Sequence, residues 1–277
     1  MSKPLTFMAV HAHPDDEASS TGGVLARYAD EGIRTVLVTC TNGELGDGPG
    51  HLKPDEPGHD PQAVAAVRLV ELAKACEHLN VGHLELLGYH DSGMRDWRHH
   101  QDHDHVFANV PLEESVGRLV SLFEQYRPDV VVTYDDFGGY NHPDHVQAHR
   151  ITVAAAERTG IPRKLYFTAR KRSDWRLLRD TLRQQGLVMP EPPVMSDEMR
   201  ERMESIEARI TTTVDTRLVI ERKRAALAAH ASQLDESWFL KCPPELFDTI
   251  FGKETFIRAD DKTGTPLPET DLFAGLR

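Results

Sequence analysis

Apolar residues fall along the chain in short blocks separated by polar, glycine- and proline-rich stretches. Continuous or β-branched runs at Leu5–Val10, Thr35–Cys40, His83–Leu87, Val130–Thr133 and Lys164–Phe167 predict strands, with a further strand over Thr211–Val214. Helical spacing predicts helices over Val24–Ala29, stopped at Gly32, and from Gln62 to about Leu79, with Val67, Val70, Leu72, Ala75 and Cys76 on the apolar face. Leu112–Tyr126, Val146–Glu157 and Thr216–His230 read as helices in the same way. The glycines and prolines between Gly43 and Pro61 mark a loop, and residues 88–110 form a second. Strands that are apolar throughout and alternate with helices belong to a parallel sheet covered on both faces. The expected fold class is therefore α/β: a doubly wound, Rossmann-like, mostly parallel sheet with a smaller C-terminal cap region.

The stretch from Ser173 to Ile210 changes character, being rich in Arg and Glu and carrying Pro190-Glu-Pro-Pro193. It reads as an insertion or cap. The expected organisation is a catalytic core over residues 1–172, with residues 173–277 supplying the cap and the completing elements of the same domain. The end, Asp260–Pro268, is polar and turn-rich.

A chain of 277 residues with 39% hydrophobic and 27% charged residues suits an ordinary globular protein. No window approaches the roughly 18 apolar residues of a membrane span, and no signal-peptide pattern opens the chain, so a cytoplasmic protein is expected. The net charge of −12 argues against nucleic acid and anionic membranes as partners; the expected partner is a small-molecule substrate, and oligomeric state is left open. Cys40, Cys76 and Cys242 form no CxxC pair and no disulfide framework; Cys40 and Cys76 read as small buried hydrophobes.

Histidine is the unusual component, with 15 copies, several beside acids. His11-Ala-His13-Pro-Asp15-Asp16-Glu17 stands at the carboxyl end of the first predicted strand, where open α/β sheets bind ligands. Imidazole and carboxylate together suit zinc or another first-row metal. Two adjacent aspartates project in different directions, so one can ligate while the other handles a proton; the same acids also fit a helix N-terminus. Gly138-Gly139-Tyr140-Asn141-His142-Pro143-Asp144-His145 follows the strand ending at Thr133. Pro143 suits the first helical position with Asn141 or His142 as cap, which puts His142 and His145 on one opening turn. If the two strands are neighbours, the two His-Pro-Asp segments meet.

These paired segments resemble the signature of the PIG-L/LmbE-like de-N-acetylases, and the resemblance covers at least residues 5–170. Tyr89-His-Asp91-Ser92-Gly93-Met94, Phe107-Ala-Asn109-Val110, Ala229-His230-Ala231-Ser232-Gln233 and Asp271-Leu-Phe-Ala-Gly275 resemble the mycothiol branch of that family, its deacetylase and its S-conjugate amidase. Ser20 stands where the amidase tends to carry Lys, and the loop Asp96–His105 resembles neither. The resemblance implies hydrolysis of an N-acyl bond in a glucosamine-containing small molecule. It implies Zn2+, with Fe2+ accepted by the same donors, held by His13, Asp16 and His145. Asp15 resembles the general base, in a site where zinc lowers the pKa of water to about 7. His142, with Tyr140, resembles the group that stabilises the oxyanion. Arg68 and Asp91 resemble sugar-binding residues.

Other readings stand beside these. Arg68 reads equally as a solvent-exposed helix charge, Asp91 as part of an Asx-type turn, and His230 as a packed or hydrogen-bonded histidine. The run from Arg98 to His105 alternates His with Asp and reads as a solvated loop rather than a second metal site. No GxGxxG, P-loop, GxSxG or HExxH pattern is present, which disfavours dehydrogenase, NTPase, serine hydrolase and zincin chemistry. Two alternatives remain: a tailoring deacylase acting on a different amide in a natural-product pathway, and a non-catalytic metal-containing binding module.

Overall fold

The first strand, β1 (Thr6–His11), is buried along its whole length, as is β4 (Val130–Thr133). A computed structural model describes residues 4–94, 105–184, 197–234 and 238–277. In chain order the main elements are β1, α1 (Asp16–Ser20), α2 (Gly22–Asp30), β2 (Arg34–Thr41), α3 (Pro61–Leu79), β3 (His83–Tyr89), α4 (Leu112–Tyr126), β4, α5 (Pro143–Thr159), β5 (Lys164–Ala169), α6 (Arg172–Gln184), α7 (Asp197–Ala208), β6 (Thr212–Asp215), α8 (Ile220–Ala229), α9 (Pro244–Phe251) and β7 (Lys253–Asp261). They build a seven-stranded sheet in the order β3-β2-β1-β4-β5-β7-β6. The first five strands in that order run parallel; β7 pairs antiparallel with β5, and β6 antiparallel with β7.

Side chains alternate across a strand, so β1 feeds two cores. Phe7 and Ala9 pack with Leu25, Tyr28, Leu72 and Leu227 from α2, α3 and α8. Met8 and Val10 pack with Leu119, Phe123 and Ile151 from α4 and α5. The chain lays β1, β2 and β3 outward in one direction, then returns to place β4 on the other side of β1, with Phe7 opposite Val130 and Ala9 opposite Val132. Where strand order reverses, the loops leaving the two carboxyl ends splay apart and open a crevice. The two His-Pro-Asp segments leave from those two ends.

Helix ends follow local chemistry. Asp60 caps α3 by accepting from the amides of Gln62 and Ala63, Pro61 takes the first turn, and Asn80 closes it in the left-handed region. His142 caps α5 and Pro143 follows it; Gly160 ends the helix with φ +60°.

Two sequence expectations are corrected. Val67 and Val70 are about half exposed, and the buried face of α3 runs through Val64, Arg68, Glu71, Leu72, Ala75 and Leu79. Arg68 and Glu71 are tolerated inside because both are paired. The polar tail expected from Asp260 begins later, because β7 runs from Lys253 through Asp261. Residues after 172 thus add two strands to the same sheet. Residues 98–104 of the His/Asp-rich loop and Pro190–Pro193 lie outside the described residues. Among the described residues, no helix is long and apolar enough to cross a membrane.

The antiparallel edge is tied to the first helices by one buried carboxylate. Glu254 on β7 accepts from the amides of Gly23 (2.7 Å) and Val24 (2.8 Å) at the start of α2 and from Lys223 Nζ (2.6 Å) on α8. Both charged side chains are at most 4% exposed. Glu254→Ala strands a buried ammonium and two amides, and should lower unfolding free energy by about 3–5 kcal/mol in urea titrations. Val70→Lys, on the exposed side of α3, should change it by no more than about 0.5 kcal/mol.

Candidate metal centre

The site forms where the loop after β1 meets the start of α5. Tyr134, the residue after β4, fixes the seam: its hydroxyl accepts from the Ala12 amide (2.7 Å) and donates to Asp16 Oδ2 (2.7 Å). The same oxygen accepts from the His13 amide at 3.0 Å. The Tyr134 ring stacks on His145 with centroids 4.1 Å apart.

Hydrogen bonding sets the tautomers of both central histidines. His13 Nε2–H donates to Asp144 Oδ2 (3.2 Å), and His145 Nδ1–H donates to the carbonyl of Gly138 (3.1 Å). Gly138 has φ +67°, and a Cβ there would lie 2.9 Å from His145 Cβ, so no side chain is accommodated. Asp144 is itself fixed by the amide of Ser92 (2.9 Å) and by its hydroxyl. This arrangement of outer hydrogen bonds is the one that orients metal-binding imidazoles.

The remaining lone pairs converge. His13 Nδ1 lies 3.3 Å from Asp16 Oδ2, His145 Nε2 lies 3.4 Å from Asp16 Oδ2, and the two nitrogens are 3.3 Å apart. Such edges match one face of a tetrahedron whose centre is about 2.0–2.1 Å from each corner, the bond length of a first-row divalent cation to nitrogen or oxygen. Three acceptors this close repel one another unless a proton or a cation lies among them. Electrostatics agrees. Burial would raise the Asp16 carboxyl, yet His145 and His13 hold it well below the usual range. Burial opposes a charged His13, yet Asp91, Asp144 and Asp16 raise its pKa well above the ordinary value. The pocket thus demands positive charge.

The other expected residues gather around this triangle. His142 packs edge-on to His13 with ring centroids 4.5 Å apart, and its ligand atoms come within 4.8 Å of those of His13 and His145. Its Nδ1 accepts from the Asp144 amide (3.2 Å), which leaves the proton on Nε2. Burial and the two neighbouring imidazoles push its pKa down to about 2. These contacts set His142 apart from the triangle as a neutral donor. Asp91 is buried; Oδ1 accepts from Gly93 (2.8 Å), the Asx turn allowed for above, and lies 3.6 Å from His13 Nε2. Tyr140 sits at the rim, 55% exposed, edge-on to His145.

Asp15 stands beside the triangle with a quarter of its side chain exposed. Burial pushes its carboxyl up to about 6, opposed chiefly by Arg68. Arg68 is buried, which overturns the solvent-exposed alternative. It donates to Asp15 Oδ2 (2.9 Å), the Pro14 carbonyl (2.6 Å) and the Gly43 carbonyl (2.7 Å). A cavity of about 290 Å³ adjoins, lined by Asp91, Glu44, His90, Leu45, Pro61 and Val106 among others; a sugar-sized ligand needs a volume of this order.

Three participants escaped the sequence reading. Tyr134 gave one usable signal, its place at the carboxyl end of a strand at the switch point. Asp144 and Glu17 lay inside the quoted motifs, but their tasks appear only with their partners in space.

Comparison with known proteins gives the family of the chain. Residues 8–156 match the family profile described as PIG-L, GlcNAc-PI de-N-acetylase. A relative in Acidothermus cellulolyticus, 1D-myo-inositol 2-acetamido-2-deoxy-alpha-D-glucopyranoside deacetylase, is 38% identical across 98% of this chain and 95% of its own. The mycothiol S-conjugate amidase of Streptomyces coelicolor is 35% identical across 100% of this chain and 99% of its own. The N,N'-diacetylchitobiose deacetylase of Pyrococcus horikoshii shares the fold, with a TM-score of 0.58 over 91% of this chain and 83% of its own, at 19% identity. With a profile match across more than half its length and full-length relatives above 30% identity, the chain belongs to the PIG-L de-N-acetylase family.

Proposed function

We propose that the protein is a zinc-dependent hydrolase that cleaves the N-acyl bond of a glucosamine-containing small molecule of the kind acted on by mycothiol-pathway deacetylases and amidases. The observation that carries this reading is the triangle of His13 Nδ1, Asp16 Oδ2 and His145 Nε2, with edges of 3.3–3.4 Å. Those three atoms would hold the ion, and an N2O donor set suits zinc while also tolerating Fe2+. When bound there, zinc supplies positive charge that acidifies water and stabilises developing negative charge on the acyl oxygen.

The chain's own groups do the rest. Asp15, aimed by Arg68, takes the proton from the attacking water and delivers it to the departing amine nitrogen. His142 keeps its Nε2 proton because Nδ1 is occupied by the Asp144 amide, so it donates a hydrogen bond to the oxyanion as a neutral imidazole. Tyr140 adds a second donor from the rim. Asp91 and the adjoining cavity receive the sugar. Both terminal nitrogens of Arg68 are committed to Asp15 and the backbone, so we assign it to orienting the base rather than to holding the sugar. Residues 1–172 carry every group named here, with the remainder completing and covering the same domain. Three buried free cysteines fit a reducing cytoplasm.

The test is release of free amine from a panel of N-acylated glucosamine compounds: a mycothiol conjugate, N-acetylglucosaminyl-inositol and simple N-acetyl sugars. Amine should appear, vanish with chelator and return with zinc; preference for acetyl or for a bulkier acyl group separates deacetylase from amidase. No hydrolysis of any member by the zinc-loaded protein would contradict the reading. Asp15→Ala should lower kcat by about 10²–10⁴-fold while each chain still binds one zinc. Asp144→Ala, which frees His13 Nε2, should weaken zinc binding by about 10–100-fold in chelator competition.

A further inference from the structure

Asp15 has φ +121° and ψ −26°, a backbone conformation that side-chain-bearing residues rarely adopt. Such a conformation persists only when its surroundings enforce it. Three contacts do so. The Asp15 amide donates to Glu17 Oε2 (2.9 Å), and Arg68 grips both the preceding carbonyl and the Asp15 carboxylate.

Glu17 is completely buried, so its own placement needs a partner. Its second oxygen, Oε1, lies 2.6 Å from Nε2 of His230, a completely buried histidine 213 residues away. Nδ1 of His230 has no partner among the described residues, so the ring is committed to Glu17, with its proton on Nε2. The segment that carries His230 is pinned in turn. The Ser232 amide and hydroxyl donate to Glu71 (2.8 and 2.7 Å), one turn beyond Arg68 on α3. Gln233 accepts from the Asp47 amide and donates to the Asp47 carbonyl.

We infer that His230 is a positioning residue which, through Glu17, locks the strained backbone of Asp15 and so aims its carboxylate. Residues 230–233 form a brace behind the base. His230 touches neither the metal triangle nor the cavity beside it. Without it, Glu17 is a buried carboxylate without a counter-group; it turns, lets go of the Asp15 amide, and the backbone relaxes. The inference rests on the assignment of Asp15 as the base.

The experiment compares the zinc-loaded full-length protein with His230→Ala, His230→Gln, Glu17→Asp and Ser232→Ala, measuring kcat, KM, zinc per chain and thermal midpoint. His230→Ala should lower kcat by about a hundredfold, the scale of a misplaced catalytic group, with KM and zinc content unchanged. His230→Gln, which still offers Glu17 an N–H, should recover most of the activity. Ser232→Ala removes one part-buried hydrogen bond of the brace and leaves the Ser232 amide bonded to Glu71, so it should lower kcat less than His230→Ala does. If His230→Ala does not fold, Glu17→Asp decides: its carboxylate is one carbon too short to meet His230 and the Asp15 amide together, so kcat should fall with zinc retained. Wild-type kcat in His230→Ala or Glu17→Asp, or losses that track zinc content, would overturn the brace. Failure of the base itself reads out separately, as activity surviving in Asp15→Ala.

Discussion

The pairing of β4 with β1 is the constraint on which the site depends. The chain first lays β1, β2 and β3 outward, and only by returning to the free edge of β1 does it bring the carboxyl end of β4 beside that of β1. Three registered pairs, Phe7 with Val130, Met8 with Val131 and Ala9 with Val132, fix the alignment. A slip of one residue would turn the β4 side chains to the opposite faces and uncouple both cores. The Tyr134 hydroxyl then joins the two loops by bonding Ala12 and Asp16 at once. The apolar interior thus sets the distance between the two His-Pro-Asp segments, and one phenol trims it.

Polar groups in this molecule differ in weight according to depth. Arg27–Glu31 and Arg217–Asp215 are surface pairs, and solvent screening leaves pairs of that kind little weight. Lys223–Glu254 and His230–Glu17 are buried on both sides. Pairs of that kind contribute little net stability, but removing one partner is expensive. They therefore act as fasteners. Glu254 joins the last strand to α2, and Glu17 joins the late segment at residue 230 to the turn that holds Asp15. Around the metal triangle the same low dielectric concentrates carboxylates against imidazoles, which is the condition that favours a dication.

Much of this was legible in the sequence, for physical reasons that also explain the gaps. β1, β2 and β4 are covered on both faces, so they read as unbroken apolar runs. The histidines and aspartates of the two motifs are dense enough to announce a site, and strand ends are where such sites lie. β7 was invisible because Lys253, Glu254, Arg258 and Asp260 interrupt it; its buried Glu254 looks like a surface residue until its three donors are seen. The true inner face of α3 includes Arg68 and Glu71, which hydrophobic periodicity discards, so the periodicity points Val67 and Val70 inward instead. Tyr134, Asp144 and Glu17 acquire their tasks from partners 52 to 213 residues away, and no local pattern encodes such pairings.

Diffraction from a zinc-loaded crystal, collected on both sides of the zinc absorption edge, tests the central claim most directly. The account predicts one anomalous peak per chain between the loops after β1 and β4, bonded to His13 Nδ1, Asp16 Oδ2 and His145 Nε2 at about 2.0–2.2 Å. A peak held instead by Asp91, Asp144 and His142, or no peak between those loops, would contradict it.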